Sequence, residues 1–487
     1  MHTYKLTFSG NQRIRLWLVL LFTGLIRLLT LGAYPLFDAT EARYAEIARK
    51  MAETANWITP QIDYGVPFWG KPPLSTWATA LSLRVFGINE FAARFSSLLF
   101  GLGMVWLTYR LASRRLNRDY AVTAAAVLST SALFFVASGS VMTDPALAFG
   151  TTRAMVAFWL AAKGDESPDR LWGYLFFVGL AIGLLAKGPV AVVLTLLPVA
   201  LWAVWKRQWT CLWQRLPWLT GSLLTMAIAL PWYMAAERAT PGFLKYFIIG
   251  EHWKRFTESG WKGDLYGTGH SHPHGTIWLY WFLATFPWCF VFIGALLRRG
   301  RRAVELLRSD WIAYLVLWTA APMLFFTLAG NILWTYVLPG VPAFALLLAE
   351  LTGTAGDAAH LLKNHWLNRS LPLVTPVVFA LSLVFLPPRI VMKKSQKGIV
   401  AGYRAARQTP ASNLVYLGSK PNSAEFYSHG TAQVARDAQM LESSLNDRQR
   451  NFFAIKTNDL ARIPEGITAH LMKIGDYGEY QLLVTAR

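Results

Sequence analysis

KPPLSTWATALSLRVFG (71–87) is apolar along one side, and whether it crosses a membrane or lies on one settles the direction of every later segment. Only about fourteen residues separate its proline pair from Gly87. At ~1.5 Å of rise per residue they fall short of a ~30 Å hydrocarbon core. The segment therefore reads as a helix in the interface.

On either side of it the chain alternates apolar windows with short polar connections. Windows of spanning length lie near 16–34, 92–112, 120–140, 145–162, 171–186, 189–205, 217–235, 276–297, 311–328, 332–350 and 371–388, about eleven in all. The first is too long, and too far from a small-residue cleavage site, to be a removable signal peptide, so it reads as an anchor. If the N-terminus with Lys5, Arg13 and Arg15 is cytoplasmic, alternate connections should be basic. They are: Arg110, Arg114, Arg115 and Arg118; Lys163 and Arg170; Lys206, Arg207 and Arg215; Arg298, Arg299, Arg301, Arg302 and Arg308; Lys363 and Arg369. Counting 71–87 as a span would turn these clusters outward. The outer connections are long only at 35–91 and 236–275, and an odd number of crossings places the polar tail outside. The expectation is a polytopic membrane protein with a transmembrane domain over 1–391 and a domain over 392–487 on the outer side, which the resemblance given below makes the periplasmic side of a bacterial inner membrane.

Composition agrees: 54% hydrophobic and 14% aromatic residues exclude a soluble domain. The net charge of +20 resides in the short inner connections, a record of topology and not of nucleic-acid binding. Two cysteines, 211 and 289, with no CxxC spacing, offer no disulfide framework. The tail reads as a small α/β domain, with strands over 413–419 and 450–457, a hairpin over 470–486 turning near Asp476 to Glu479, and helical pieces near 424–428 and 438–445. The overall fold class is an all-α polytopic membrane protein with interfacial helices and this C-terminal addition.

The ionisable residues gather at the outer helix ends, Arg27 and Arg153 aside. Asp38, in YPLFDATEARYAEIARKM (34–51), is open to two readings: with Glu41 it has capping-box spacing at the start of a surface helix over 39–54, and an acid at a bilayer boundary also suits catalysis. Lys71 is either snorkelling from the interface or a point charge set by Pro72-Pro73 for a phosphate. Asp144 precedes Pro145 as an N-cap would, and Lys187 ends its helix before Gly188-Pro189, where a cation suits the dipole. Taken together they put two acids and two bases on one side of the membrane. The loop 236–275 adds Glu251, His252, Lys254 and Arg255, suited to a phosphate or a sugar, and the alternating His270, His272 and His274. That His-x-His-x-His run matches no structural zinc site, so a divalent metal is possible but not indicated, and no cofactor is required. There is no P-loop or dinucleotide fingerprint.

YPLFDATEARYAEIA, WGKPPLSTWATALSLRVFGINEFAARF, MTDPALAF, LLAKGP, EHWKRF and NILWTYVLPGVPAFALLLA occur in this order and resemble the bacterial lipid-carrier-dependent glycosyltransferases of the GT-C class. The nearest branch is the aminoarabinose transferases that modify lipid A, with protein O-mannosyltransferases more distant. The resemblance covers about 15–350. It implies a GT-C fold and transfer of a sugar from undecaprenyl phosphate to lipid A or another envelope glycan, with membrane lipids and no nucleic acid as further partners. It implies Asp38 as the acid at the reaction centre and Asp144 as a second catalytic acid. Lys71 would bind the carrier phosphate, assisted by Arg255 and His252, and Arg43, Glu41, Lys187 and Tyr336 would contact substrate. Gly70 stands where that branch has an acidic residue before the lysine. Rival readings are a transporter or flippase for lipid-linked sugars, which would put ionisable residues mid-span, a protein O-mannosyltransferase-like enzyme, and a non-catalytic lipid-binding protein.

Overall fold

The computed structural model describes residues 10–163, 170–267, 270–353, 365–407, 412–445, 450–461 and 463–486. Lys5, Lys363 and the side chain of Arg369, three of the expected inner charges, lie outside them.

Every apolar window carries helix, but the helices are not uniform. Glu90–Arg115, Arg170–Lys187, Trp218–Ala239 and Trp334–Thr352 are each long and apolar enough to cross a membrane; three bent pairs raise the number to seven. The protein is a multi-span membrane protein, and the eleven crossings expected from the windows are a finer count than this. The bends have local causes. Thr276–Ala284 and Trp288–Arg299 meet at 103°, at the break that holds Pro287. The window at 120–140 is divided at Ser131, which adopts extended backbone between Arg118–Thr130 and Ala132–Ala137. There the Thr130 and Ser131 hydroxyls both donate to carbonyls four residues back, at 2.6 and 2.7 Å.

Small residues bring one helix pair unusually close. A Cβ on Gly179 would lie 2.6 Å from the Ala154 amide nitrogen, and one on Gly150 would lie 2.7 Å from that of Gly183. Side-chain bulk would hold Asp144–Lys163 and Arg170–Lys187 apart; glycine lets their backbones touch. Because the two run antiparallel, the first residue of one, Asp144, stands beside the last residue of the other, Lys187.

At that end of the bundle two helices lie outside the spans, Thr40–Thr54 and Leu74–Phe86, joined by a short hairpin of β1 (Gln61–Asp63) and β2 (Val66–Pro67). The second is 13 residues long, too short to cross, as its sequence implies. The capping box expected at its predecessor does not form: Ala39 occupies the cap position with no side-chain bond, because both expected capping carboxylates are engaged elsewhere. Asp144 likewise does not cap its helix; it is the first helical residue.

The C-terminal region folds as a five-stranded sheet. β3 (Leu414–Leu417), β4 (Gln433–Ala435), β5 (Phe452–Lys456), β6 (Leu471–Tyr477) and β7 (Tyr480–Thr485) lie in the order β4-β3-β5-β7-β6. β3 pairs parallel with β4 and β5, and the β6–β7 hairpin closes the sheet antiparallel. β4 and the helix Lys397–Ala406 are additions to the elements expected for the tail. The short helix Asn422–Ser428 packs Phe426 into an apolar cluster with Ala42, Ala45 and Ala48 of the first surface helix.

Candidate active site

The surface helix, the Gly70-Lys71 turn, the facing ends at Asp144 and Lys187, and the loop after Glu251 enclose a polar chamber of about 240 Å³. From the helix it takes Thr40, Arg43 and Tyr44, which share a face by their spacing of three and four. Asp144, Lys71, Lys187, Arg255 and Tyr336 are thereby brought together from five parts of the chain.

Glu251 organises the cations. Its carboxylate accepts from Lys71 Nζ at 2.7 Å and from Arg255 Nη1 at 3.2 Å, with its side chain only 2% exposed. Burial works against the carboxylate, but Lys71 and Arg255 outweigh it and hold Glu251 below its ordinary range. Burial likewise opposes the Lys71 ammonium, and Glu251 overrides it, so Lys71 stays charged well into alkaline pH. The geometry comes from a π-helical stretch, Tyr246–Lys254, in which residues five apart meet: the Tyr246 hydroxyl donates to Glu251, and His252 bonds to the Phe247 carbonyl. Arg255 also pairs with Asp264 at 3.2 Å. Across the chamber Lys187 Nζ donates to Asp144 Oδ1 at 2.7 Å and lies 4.5 Å from the centre of the Tyr336 ring. Arg43 donates from Nη1 to the Tyr266 carbonyl. The Nε groups of Arg43 and Arg255 are buried and hydrogen-bond to no protein atom.

Four cations, Arg43, Lys71, Lys187 and Arg255, thus face three carboxylates, Asp144, Glu251 and Asp264. The chamber carries one surplus positive charge. Each carboxylate already has a cationic partner, so the surplus is directed at an anion from outside.

Three expected site residues are not brought to the chamber. Asp38 turns away to the C-terminal region, where Ser423 donates to it from both backbone nitrogen, at 2.9 Å, and hydroxyl. Glu41 accepts from Nε and Nη2 of Arg94, both at 2.8 Å, and that fully buried arginine also holds the carbonyls of Leu31, Tyr34 and Pro35. Glu41 is therefore committed to the exit of the first span. His252 is outside the chamber, on the wall of an adjoining cavity, with its two ring nitrogens on the carbonyls of Phe247 and Lys187, and burial lowers its pKa. Conversely, Asp264 and Tyr266 line the chamber unforeseen, and Glu251, noticed only as part of a charged run, proves central.

The alternating histidines diverge. His270 lies on the chamber wall, His272 meets the Tyr280 hydroxyl, and His274 meets the Thr327 carbonyl. Among the described residues no group of three or more His, Cys, Asp or Glu could hold a metal ion. At Gly70 a Cβ would lie 2.8 Å from the Phe68 ring and 3.2 Å from Tyr266, so those aromatics fill the space an acidic side chain would need.

A second cavity of about 380 Å³ adjoins the first and is lined by Val190, Val193, Ile248, Trp253, Phe256 and Phe325. The two share Lys71, Lys187, Glu251, Arg255 and Tyr336. An apolar groove therefore opens onto the charged chamber at its cations.

The family model described as Dolichyl-phosphate-mannose-protein mannosyltransferase matches residues 14–247. The undecaprenyl phosphate-alpha-4-amino-4-deoxy-L-arabinose arabinosyl transferase of Enterobacter sp. (strain 638) is 32% identical over 389 residues, which is 77% of this chain and 66% of that protein. The chain thus spans just under two thirds of that relative's length. The protein of the same name from Aeromonas salmonicida (strain A449) is 31% identical over 413 residues, 80% of this chain and 70% of that one. In fold, ArnT from Cupriavidus metallidurans, in a crystal structure bound to undecaprenyl phosphate, superposes with a TM-score of 0.78 at 18% identity, covering 96% of this chain and 97% of that one.

Proposed function

The chain belongs to the family of the undecaprenyl phosphate-aminoarabinose arabinosyl transferases, within the GT-C glycosyltransferases, and from that premise we propose that it moves a sugar from a polyprenyl-phosphate donor to a hydroxyl or phosphate of an envelope acceptor. Undecaprenyl phosphate is the carrier, aminoarabinose or a related sugar the cargo, and lipid A the acceptor, as the relatives' names suggest for donor and sugar. The chamber faces the periplasm, the N-terminus is cytoplasmic and about eleven helices cross the inner membrane, as the Arg-rich connections imply. The C-terminal domain, from about residue 392, then lies on the periplasmic side.

The observation that carries this reading is the meeting of the two cavities at Lys71, Lys187 and Arg255. A polyprenyl phosphate has this composition: an apolar tail for the groove and one anionic group where the tail ends. A phosphodiester carries a single negative charge, which the surplus cation matches. Lys71, Arg255 and Arg43 hold the phosphate and stabilise the charge it gains on leaving. Asp144 accepts the proton of the attacking acceptor oxygen; it is the chamber carboxylate with the most exposed side chain, 11% against 2% for Glu251 and 4% for Asp264. Glu251 is held by two cations and serves to position them. Lys187 holds the Asp144 carboxylate in place at 2.7 Å.

The test is mass spectrometry of lipid A and other envelope glycans from cells with and without the protein, and from cells carrying Asp144→Asn. A pentose- or hexose-sized mass increment that depends on Asp144 supports the proposal. No difference in any fraction would refute it.

A further inference from the structure

We propose that the basic surface built by Arg389, Lys393, Lys394 and Lys456, where the chain leaves its last described span, is the landing site for the phosphorylated headgroup of the acceptor lipid. The inference rests on the proposed acceptor and topology, and adds the surface that receives that lipid next to the chamber.

The balance of charge along the outer face singles this surface out. The two long outer connections are nearly neutral, with five cations against six carboxylates over 35–91 and five against four over 236–275. Over 385–424 there are seven cations and no carboxylate. Lysine and arginine collect on the cytoplasmic side of spans, so seven of them on the outer side call for another reason. A basic run directly beside a span suits an anionic lipid headgroup.

The fold sets the first of these cations at headgroup depth. Beyond Val384 the chain turns at Pro387-Pro388, and the short helix Pro388–Lys394 leaves the span at 90°, along the membrane surface. Val384 and Phe385 are exposed where the span ends, and Ile390 and Met392 are exposed on the short helix, which suits contact with lipid beside the lysines. Arg389 stands one turn before Lys393, on the same face. Lys393 pairs with Glu479 at 2.9 Å, and Lys456 and Lys394 join it in holding that carboxylate below its ordinary range. Three lysines thus share one carboxylate, and Arg389 adds a fourth cation. A phosphate monoester, a dianion when fully ionised, is what compact ammonium charges in surplus would take.

The backbone beneath these side chains is fixed, although the side chains themselves are free; Lys393 is 60% exposed. The Lys394 carbonyl accepts from the Asp38 amide at 2.8 Å, and the Gln396 amide donates to the Ser423 hydroxyl at 2.9 Å. Gly478, at φ +66°, packs so closely that a Cβ on it would lie 2.9 Å from the Met392 carbonyl oxygen. The same bond ties the surface to the chamber, because Asp38 is followed directly by Ala39 of the chamber wall. A lipid whose phosphate rests on Lys393 and Lys394 keeps its acyl chains in the bilayer and holds its sugar headgroup beside the chamber.

The experiment titrates the full chain, in phosphatidylcholine nanodiscs, with lipid A, dephosphorylated lipid A, phosphatidylglycerol and undecaprenyl phosphate in turn. Arg389→Gln, Lys393→Gln and Lys394→Gln combined should weaken lipid A binding by about tenfold or more, and removing the phosphates from lipid A should do the same to the parent. Lys393→Arg with Lys394→Arg keeps the charge and should stay within about twofold of the parent. Undecaprenyl phosphate should bind the triple variant as it binds the parent, since no chamber cation changes. In transfer assays KM for lipid A rises in that variant while kcat holds. The landing site is overturned if the triple variant binds lipid A like the parent, or if dephosphorylated lipid A binds the parent undiminished. It is equally overturned if phosphatidylglycerol binds the parent as tightly as lipid A, which marks a surface for any anionic lipid, or if the triple variant loses undecaprenyl phosphate by the same factor, which marks general damage. A parent that binds lipid A through these residues and transfers no sugar refutes the proposed activity and leaves the landing site standing.

Discussion

Replacing Glu251 with glutamine should weaken the empty protein and strengthen its hold on the lipid phosphate. The Glu251 side chain is 2% exposed, with Lys71 at 2.7 Å and Arg255 at 3.2 Å. Two unit charges about 4 Å apart attract by ~4 kcal/mol at an effective dielectric of ~20, and breaking one partner out of a buried pair costs about 3–5 kcal/mol. Glutamine keeps the shape and can still accept from Lys71 and Tyr246, so the lower end, about 3 kcal/mol, is expected. The surplus cation in the chamber rises from one to two, and an arriving phosphate supplies the missing counter-charge. Affinity for undecaprenyl phosphate should rise by up to about tenfold, equivalent to ~1.4 kcal/mol. The pH dependence carries a sign. Glu251 is depressed in the folded state, so its contribution is complete above about pH 4.3 and is lost as pH falls through the lowered value. Lys71 is raised, so its contribution is complete below about pH 10.4 and is lost as pH climbs through the raised value. Between those limits the gap between parent and variant should be flat. Thermal unfolding in detergent with and without lipid, and direct lipid titration, provide the assay. A variant whose lipid affinity falls along with its stability would show that Glu251 is not a stand-in for the phosphate charge.

Asp144→Asn should lower the turnover number by about 10²–10⁴ while lipid affinity holds or tightens, since Lys187 loses its carboxylate; initial rates and lipid titration separate the two effects. His252 is buried with its pKa lowered, so folding stability should be complete above about pH 6.5 and decline as pH falls below it, a slope that His252→Gln removes in thermal scans from pH 8 to 5. Gly179→Ala puts a Cβ 2.6 Å from the Ala154 amide nitrogen and should cost about 1–3 kcal/mol and slow transfer by parting Asp144 from Lys187. Gly294→Ala, with nothing within 4 Å, should be neutral or slightly stabilising in the same unfolding assay.

What the sequence makes legible is whatever a local run of residues decides. Window length and apolarity locate the helical segments, the thirteen residues between Pro73 and Gly87 predict a helix too short to cross, and alternation locates most of the tail strands. Composition cannot report where a helix breaks: Ser131 divides one window through hydroxyls that bond back along the chain, which no hydropathy average records. The site was legible one residue at a time and not as a set. Lys71 and Glu251 are 180 positions apart, and nothing near either announces the other. Asp38 and Glu41 show the opposite failure. Their capping-box spacing is real, but Ser423 and Arg94, brought in by tertiary packing, compete for both carboxylates and win, leaving Ala39 at the cap position uncapped. Local spacing names the groups available; long-range contacts decide which of them remain free.

Charge conservation through the reaction follows from the chamber's own inventory. Before transfer, the four cations face three carboxylates and one phosphodiester charge, and the chamber is neutral. When the sugar leaves, the carrier becomes a phosphate monoester and gains a second negative charge. The acceptor, attacking through an O–H on carbon or on a monoprotonated phosphate, simultaneously gives up that proton. If Asp144 takes it, one carboxylate charge disappears as one phosphate charge appears, and the chamber is neutral again. Protonated Asp144 also releases Lys187, held at 2.7 Å in the resting state and placed where chamber and groove meet, so a cation becomes free at the moment the phosphate needs one. A base elsewhere, at Asp38 for example, would leave the chamber one charge negative after each transfer, with Lys187 still tied to Asp144. Low-dielectric surroundings make that imbalance expensive. The pairing of Asp144 with Lys187 is therefore part of the proposed mechanism, and the close glycine contact between their helices is what sets the distance.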